Sequence, residues 1–370
     1  MPKIALISYH FYHNYGTCLQ AYALWHRLNS WGVNCEFLNF GQCRCNENFA
    51  QKIKNVLRRV KYLKYGMSAK SNGKCFESFR KKYVHETKEF RLDELNCVES
   101  QYDKFILGSD QTLNPDCVNE NVYECMLLCF VKDEKKKFSF ASSLGKYKLT
   151  NNQEEKLKRL QNFQEISVRE KNTQKKLAML LNRNVEFVLD PTFLLSKEEW
   201  LQLANPDFSA KASDYVFCYL LGANEDVVLF AKRLAQEMKL KLVLFTIYPK
   251  LSHSADLLLK KCGPFEFVKT IAEARYVVTD SFHGSILSIN CHVNFYSFFK
   301  RPGGLYQGDN GRLYDFLCIL DLQNRLLSDS SLDLLQDIDF EKVERKLDSI
   351  RSLSIDFLKK IVDFKEKERD

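Results

Sequence analysis

Short apolar runs alternate with amphipathic stretches along most of this chain. Residues 3–9 are β-prone and loosely alternating, and a polar, aromatic loop follows from His10 to Gly16. Between Thr17 and Trp31 the spacing is helical: Leu19, Tyr22, Ala23 and Leu28 fall near one face, Thr17 can cap the start, and Gly32 ends the run. Residues 35–40 read as the next strand. Strand, helix, strand at this spacing is a βαβ unit, which predicts parallel strands and a right-handed crossover.

Residues 43–100 break the rhythm; they are polar, basic and helix-prone, and read as a helical insertion in the first sheet. The rhythm resumes with strands at 102–107, 137–142, 166–169 and 186–189, and helices near 151–163 and 171–181. After Asp190-Pro191 it begins again, with strands at 215–221, 240–247, 275–279 and 293–298 and helices at 224–238, 268–274 and 284–290. Beyond Leu332 the chain is helical and charged, with Phe340, Val343, Leu347, Ile350 and Leu353 on one face. The pattern predicts an α/β protein of two Rossmann-like domains facing across a cleft. The expected units are residues 1–185 (insertion 43–100), residues 186–325, and a helical tail, 326–370, that packs back on the body.

A chain of 370 residues suits two domains at roughly 100–200 residues each. With 45% hydrophobic and 28% charged residues it has the composition of a globular protein with a real core. No apolar run approaches the roughly 18 residues needed to cross a bilayer, and the start lacks a secretory pattern, so a cytoplasmic protein is expected. The 13 cysteines are odd in number and scattered, as reduced thiols are. Neither Cys43/Cys45 nor Cys125/Cys129 has a matching second pair or a histidine cluster, so neither a metal nor a cofactor is expected.

The net charge of +8 welcomes anionic partners but lacks the broad basic face and stacking aromatics of a nucleic-acid binder. Part of the excess is local: residues 51–65 hold six basic residues and no acid. The apolar residues between them follow helical spacing. This segment reads either as a solvated helix packed on its own domain or as a peripheral contact with the inner face of an anionic membrane.

The sharpest chemical signal is Asp280-Ser281-Phe282-His283-Gly284, where a strand runs into a polar turn and a helix starts at once. Ligands of parallel α/β sheets bind outside the carboxyl ends of strands, and free N–H groups at a helix start suit an anion. Gly284 allows close backbone approach, and His283 stands there as a proton donor or as a buried ring bonded across the turn. Arg169, at another strand end, suits a phosphate or carboxylate, or a salt bridge to Glu170 or to the other domain. The turn around Asn14 and Gly16 is the first-domain counterpart, with no Gly-x-Gly-x-x-Gly and no phosphate-loop signature. Asp110, in Gly108-Ser109-Asp110-Gln111, reads as a base, a hydroxyl-gripping acceptor or a turn cap. Arg301 and Arg312 flank a glycine-rich loop and can close over an anion or sit solvated.

Six segments taken in order resemble the polysaccharide pyruvyl transferase family. They are Asn14-Tyr15-Gly16-Thr17-Cys18-Leu19-Gln20-Ala21-Tyr22-Ala23-Leu24, Gly108-Ser109-Asp110-Gln111, Ser139-Phe140-Ala141-Ser142-Ser143-Leu144-Gly145, Ser167-Val168-Arg169-Glu170, Leu189-Asp190-Pro191-Thr192 and Thr279-Asp280-Ser281-Phe282-His283-Gly284. The insertion at 43–100 and the tail lie outside the resemblance.

The resemblance implies a fold like that of GT-B glycosyltransferases, phosphoenolpyruvate as donor, and a sugar hydroxyl pair as acceptor on a cell-surface polysaccharide precursor, free or lipid-linked. The first domain would hold the acceptor, through Asn14, Tyr15, Gly16, Gln20, Asp110 and Gln111. The second would hold the donor, through Ser281, Phe282, His283, Gly284, Arg301 and Arg312, with Arg169 reaching it. His283, with Asp110 or Asp190 assisting, would carry catalysis. Some members have an arginine two residues before this histidine; here that position is Ser281, and Arg301 or Arg312 is expected to supply the charge. Two other readings fit the same cleft: a nucleotide-sugar-dependent glycosyltransferase of the GT-B type, and a non-catalytic anion- or glycan-binding protein. Oligomeric state is left open by the sequence.

Overall fold

The structure is a computed structural model and describes residues 2–40, 69–145, 148–210, 212–299, 310–328 and 336–364. The basic segment 51–65 and Arg301 lie outside the described residues. Two parallel sheets of six strands form the frame. The first contains β1 (Lys3–Ile7), β2 (Asn34–Phe37), β3 (Lys104–Leu107), β4 (Lys137–Ser142), β5 (Glu165–Val168) and β6 (Glu186–Phe187), in the order β2-β1-β3-β4-β5-β6. The second contains β7 (Tyr215–Leu220), β8 (Lys241–Thr246), β9 (Leu257–Leu258), β10 (Tyr276–Thr279), β11 (Asn294–Phe298) and β12 (Leu326–Leu327), in the order β12-β11-β10-β7-β8-β9. These are two Rossmann-like sheets, as the alternation predicts.

Burial on both faces explains why the central strands read as near-continuous apolar runs rather than alternating ones. All six residues of β7, Tyr215–Leu220, are buried. The two outermost strands fall differently from the sequence-based boundaries. Glu186–Phe187 pairs with β5 and so closes the first sheet, one strand beyond residue 185. Leu326–Leu327 pairs with β11 and so belongs to the second sheet rather than to the tail. Each is a two-residue edge pairing; the first falls within the strand expected at 186–189, and the second is too short to register as a periodic pattern.

Helix ends shift for reasons visible in the caps. The first helix runs Tyr15–Ser30, two residues ahead of the predicted start, because Asn14 rather than Thr17 caps it: the Asn14 side chain accepts from Thr17 N. The helix Phe282–Asn290 begins two residues before Gly284 because Ser281 caps it, accepting from Gly284 N. The final helix, Phe340–Ile361, crosses back to the first domain. Leu189 N donates to Ser354 Oγ (2.9 Å) and Lys104 Nζ donates to the Ile361 carbonyl (2.8 Å).

One core cluster runs from the first domain through the interface into the second and includes Leu19, Tyr22, Phe265, Phe267, Leu347 and Leu358. Tyr15 is the anchor at its centre. Its ring stacks on Phe267 (centroids 4.2 Å apart, interplanar angle 1°) and its hydroxyl donates to the Cys262 carbonyl (3.0 Å). The start of the first helix is thereby fixed to the second domain, which brings the carboxyl ends of β1, β3 and β5 opposite those of β7 and β10.

Candidate active site

The first-domain wall of the cleft is built from small polar residues. Strand β4 slips register between Ser139 and Ser142, with Ala141 at a positive φ of 50°. Serine hydroxyls satisfy the backbone this irregularity would orphan. Ser142 Oγ donates to the Leu107 carbonyl (3.1 Å), Ser139 Oγ donates to Ser142 Oγ (2.9 Å), and Ala141 N donates to Ser167 Oγ (3.1 Å). The Ser-Phe-Ala-Ser-Ser segment therefore supports the turn after β3. Gly108, at φ +126°, passes so close that a Cβ would lie 2.0 Å from the Phe140 carbonyl oxygen. The turn delivers Asp110, itself at φ 72°, to the floor of the cleft.

Arg169 lies beneath that floor, fully buried, between carboxylates. Its Nη2 donates to Asp110 Oδ1 (2.8 Å), its Nη1 to Asp190 Oδ2, and its Nε is 3.5 Å from Glu170 Oε1. Asp110 also accepts from Thr17 Oγ1 (2.9 Å), and Asp190 from Thr192 N and Oγ1. Burial alone would raise the Asp110 carboxyl; Arg169, His283 and Arg312 outweigh it and hold it below the ordinary carboxylate range. Asp190 is likewise held far down, against its burial, chiefly by Arg169 and His283. Glu170 goes the other way, since burial pushes its carboxyl up more than Arg169 and Arg312 pull it down.

The second-domain wall is the turn after β10. Asp280 accepts from Leu221 N (2.7 Å) and Gly222 N (2.6 Å), tying it to the turn after β7. His283 projects from the first turn of its helix toward the first domain. Its Nε2 stands 3.6 Å from Asp190 Oδ2, longer than a hydrogen bond, and has no hydrogen-bond partner among the described residues. Phe282 lies between two guanidinium groups, 5.1 Å from Arg169 and 5.3 Å from Arg312. With its amide oxygen turned toward the second domain, Gln111 accepts from Arg312 Nη2 at 3.1 Å.

A cleft of about 120 Å³ results, lined among others by Asn14, Thr17, Asp110, Gln111, Ser281, Phe282, His283 and Arg312. A groove of about 1090 Å³ elsewhere contains none of these residues. Of the residues expected on the acceptor side, Asn14, Asp110 and Gln111 line the cleft, and Gly16 backs His283. Tyr15 and Gln20 do not line it. Tyr15 is spent on the interdomain stack, and Gln20 Nε2 donates to Ser8 Oγ and to the Thr17 carbonyl. Arg169 is present but enclosed. Asp190 takes a more central place than its sequence context suggests, its one signal being an Asp-Pro at a strand end. Thr17 reads as a cap and instead holds Asp110. No group of three or more His, Cys, Asp or Glu side chains among the described residues is arranged to hold a metal ion.

Two Rossmann-like domains with a polar cleft between them define a GT-B-like α/β protein. Its relatives in structure agree. The UDP-GlcNAc 2-epimerase of Methanocaldococcus jannaschii has a TM-score of 0.53 at 9% identity, over 94% of this chain and 91% of that one. The Neisseria meningitidis UDP-GlcNAc 2-epimerase, solved bound to UDP-GlcNAc, has a TM-score of 0.52 at 10% identity, over 99% and 95%. At such identities the likeness is one of fold. The family model for polysaccharide pyruvyl transferases matches residues 14–298, and the chain belongs to that family. No curated protein matches it in sequence.

Proposed function

We propose that the chain moves the enolpyruvyl group of phosphoenolpyruvate onto two hydroxyls of one sugar in a cell-surface polysaccharide precursor. The product is a cyclic pyruvate ketal, and phosphate is released. Two C–O bonds form at the central carbon and its bond to the phosphate oxygen breaks. One hydroxyl proton ends, in balance, on the methylene carbon and the other on phosphate. The observation that carries this reading is the meeting of His283, backed by Asp190, with Arg312 in one cleft of a chain of this family.

His283 is the general acid that protonates the methylene carbon and makes the central carbon electrophilic. Asp190, ionised, stands 3.6 Å from Nε2, on the side of the ring where a carboxylate stands beside a catalytic histidine. Asp110 is held ionised too firmly to be a strong base; it orients Arg169 and grips an acceptor hydroxyl. Arg169 has both Nη groups engaged by carboxylates, so it acts as a positioning residue. The donor anion is met by Arg312 and the start of the helix Phe282–Asn290. Asn14 and Gln111, on the opposite wall, face the acceptor. Among the described residues no helix is long and apolar enough to cross a membrane.

Phosphoenolpyruvate at about 100 times its dissociation constant adds roughly 2.7 kcal/mol of stability, a shift of several degrees at roughly 2–4 °C per kcal/mol. His283→Ala is expected to keep that shift and to lose acceptor-dependent phosphate release. Stabilisation by a nucleotide sugar alone would overturn the reading in favour of glycosyl transfer.

A further inference from the structure

The second sheet has its topological switch point between β7 and β10, whose following helices lead away to opposite edges of the sheet. Open parallel sheets bind ligands there, and two helix starts open onto it. One belongs to Phe282–Asn290, capped by Ser281. The other belongs to Glu225–Glu237, capped by Asn224 and preceded by Leu221 and Gly222. Successive backbone N–H groups in such a turn are a natural seat for a phosphate.

In this chain that second seat is filled from within. Asp280, buried at the end of β10, sets one carboxylate oxygen against each amide, Oδ1 at 2.7 Å from Leu221 N and Oδ2 at 2.6 Å from Gly222 N. Glu225 and Asp226 in the next turn add two more negative charges. A phosphate brought to these amides would have to displace a hydrogen-bonded carboxylate and face like charge. The other helix start keeps Arg312 and His283 beside it, in a cleft of about 120 Å³.

We infer that Asp280 sets the donor class: it closes the Leu221–Gly222 seat to the diphosphate of a nucleotide sugar and leaves room for one compact phosphate beside Ser281 and Arg312. The identity of that compact donor rests on the pyruvyl-transfer reading; the exclusion of a diphosphate rests on the geometry of Asp280 alone.

Calorimetric titration of the full chain with phosphoenolpyruvate, inorganic pyrophosphate and UDP tests this, in wild type, Asp280→Asn and Asp280→Ser. Wild type is expected to bind neither pyrophosphate nor UDP where phosphoenolpyruvate saturates it. Asp280→Ser is expected to gain at least tenfold in pyrophosphate affinity, with Asp280→Asn between the two. Pyrophosphate or UDP displacing phosphoenolpyruvate from wild type overturns the inference, as do two folded variants that remain indifferent to pyrophosphate. If one variant does not fold, the other and the wild-type displacement decide. Loss of phosphoenolpyruvate binding in wild type, with pyrophosphate gained in the variants, would remove the donor assignment and leave the role of Asp280 standing.

Discussion

The imidazole of His283 lies against the bare face of Gly16, so close that a Cβ there would sit 2.0 Å from Nδ1. The contact joins the first turn of one helix in each domain. Gly16→Ala must therefore push the ring off its place beside Asp190. A misplacement of about 1 Å near reacting atoms can cost on the order of 100-fold in rate. Turnover is expected to fall by roughly that factor while the far-ultraviolet circular dichroism of the variant stays that of wild type. Unchanged turnover would show that the ring position is not used.

Arg169 is fully buried among three carboxyls and donates to two of them, Asp110 and Asp190. Removing one partner of a buried ion pair costs about 3–5 kcal/mol because the remaining charge is left uncompensated. Arg169→Met is expected to lose stability of that order in urea unfolding. A variant as stable as wild type, but unable to bind phosphoenolpyruvate, would instead make Arg169 a ligand of the donor.

Arg312 is the guanidinium that faces the cleft. Hydrogen bonds to charged groups contribute roughly 1.5–3 kcal/mol, so Arg312→Gln is expected to weaken phosphoenolpyruvate binding about tenfold or more. Calorimetric titration reads the affinity, and equal affinity in the variant would move the donor anion elsewhere.

The pH dependence of stability follows from three carboxyls with opposite signs. Asp110 and Asp190 are depressed in the folded state, so what they contribute is complete above their unfolded values near about 4 and is lost as pH falls below that. Glu170 is raised, so the fold is favoured while it is protonated and loses stability as pH climbs from about 4.3 through its higher folded value. Glu170→Gln is expected to raise the melting temperature near neutral pH and to leave the acid limb unchanged. Melting curves across pH 3–8 check both limbs; a variant with the wild-type profile would contradict the sign assigned to Glu170.

Some of this site was legible before the fold was known. His283, Asp110, Arg312, Asn14 and Gln111 stand at strand ends or helix starts, and those positions face the cleft in any doubly wound sheet. Tyr15 and Gln20 share the same motif yet serve packing, because a helix starting at Asn14 presents them to its other faces. Asp190 is hard to weigh in one dimension: its partners Arg169 and His283 are distant in sequence and on different elements.

Local pattern by itself determined the strands, the helices, the parallel topology and the turns where chemistry sits, since side-chain periodicity, glycines and caps act over a few residues. Tertiary structure alone decided that Arg169 is enclosed by carboxylates rather than open to a ligand, that Gly16 makes room for a ring from the other domain, and that Asp280 fills the amides after β7. The first and last depend on strand order within one sheet, since the ends of β3, β5 and β6 meet in one and β7 lies beside β10 in the other; the second depends on how the two sheets are set against each other, and the packing of Tyr15 on Phe267 sets that relation.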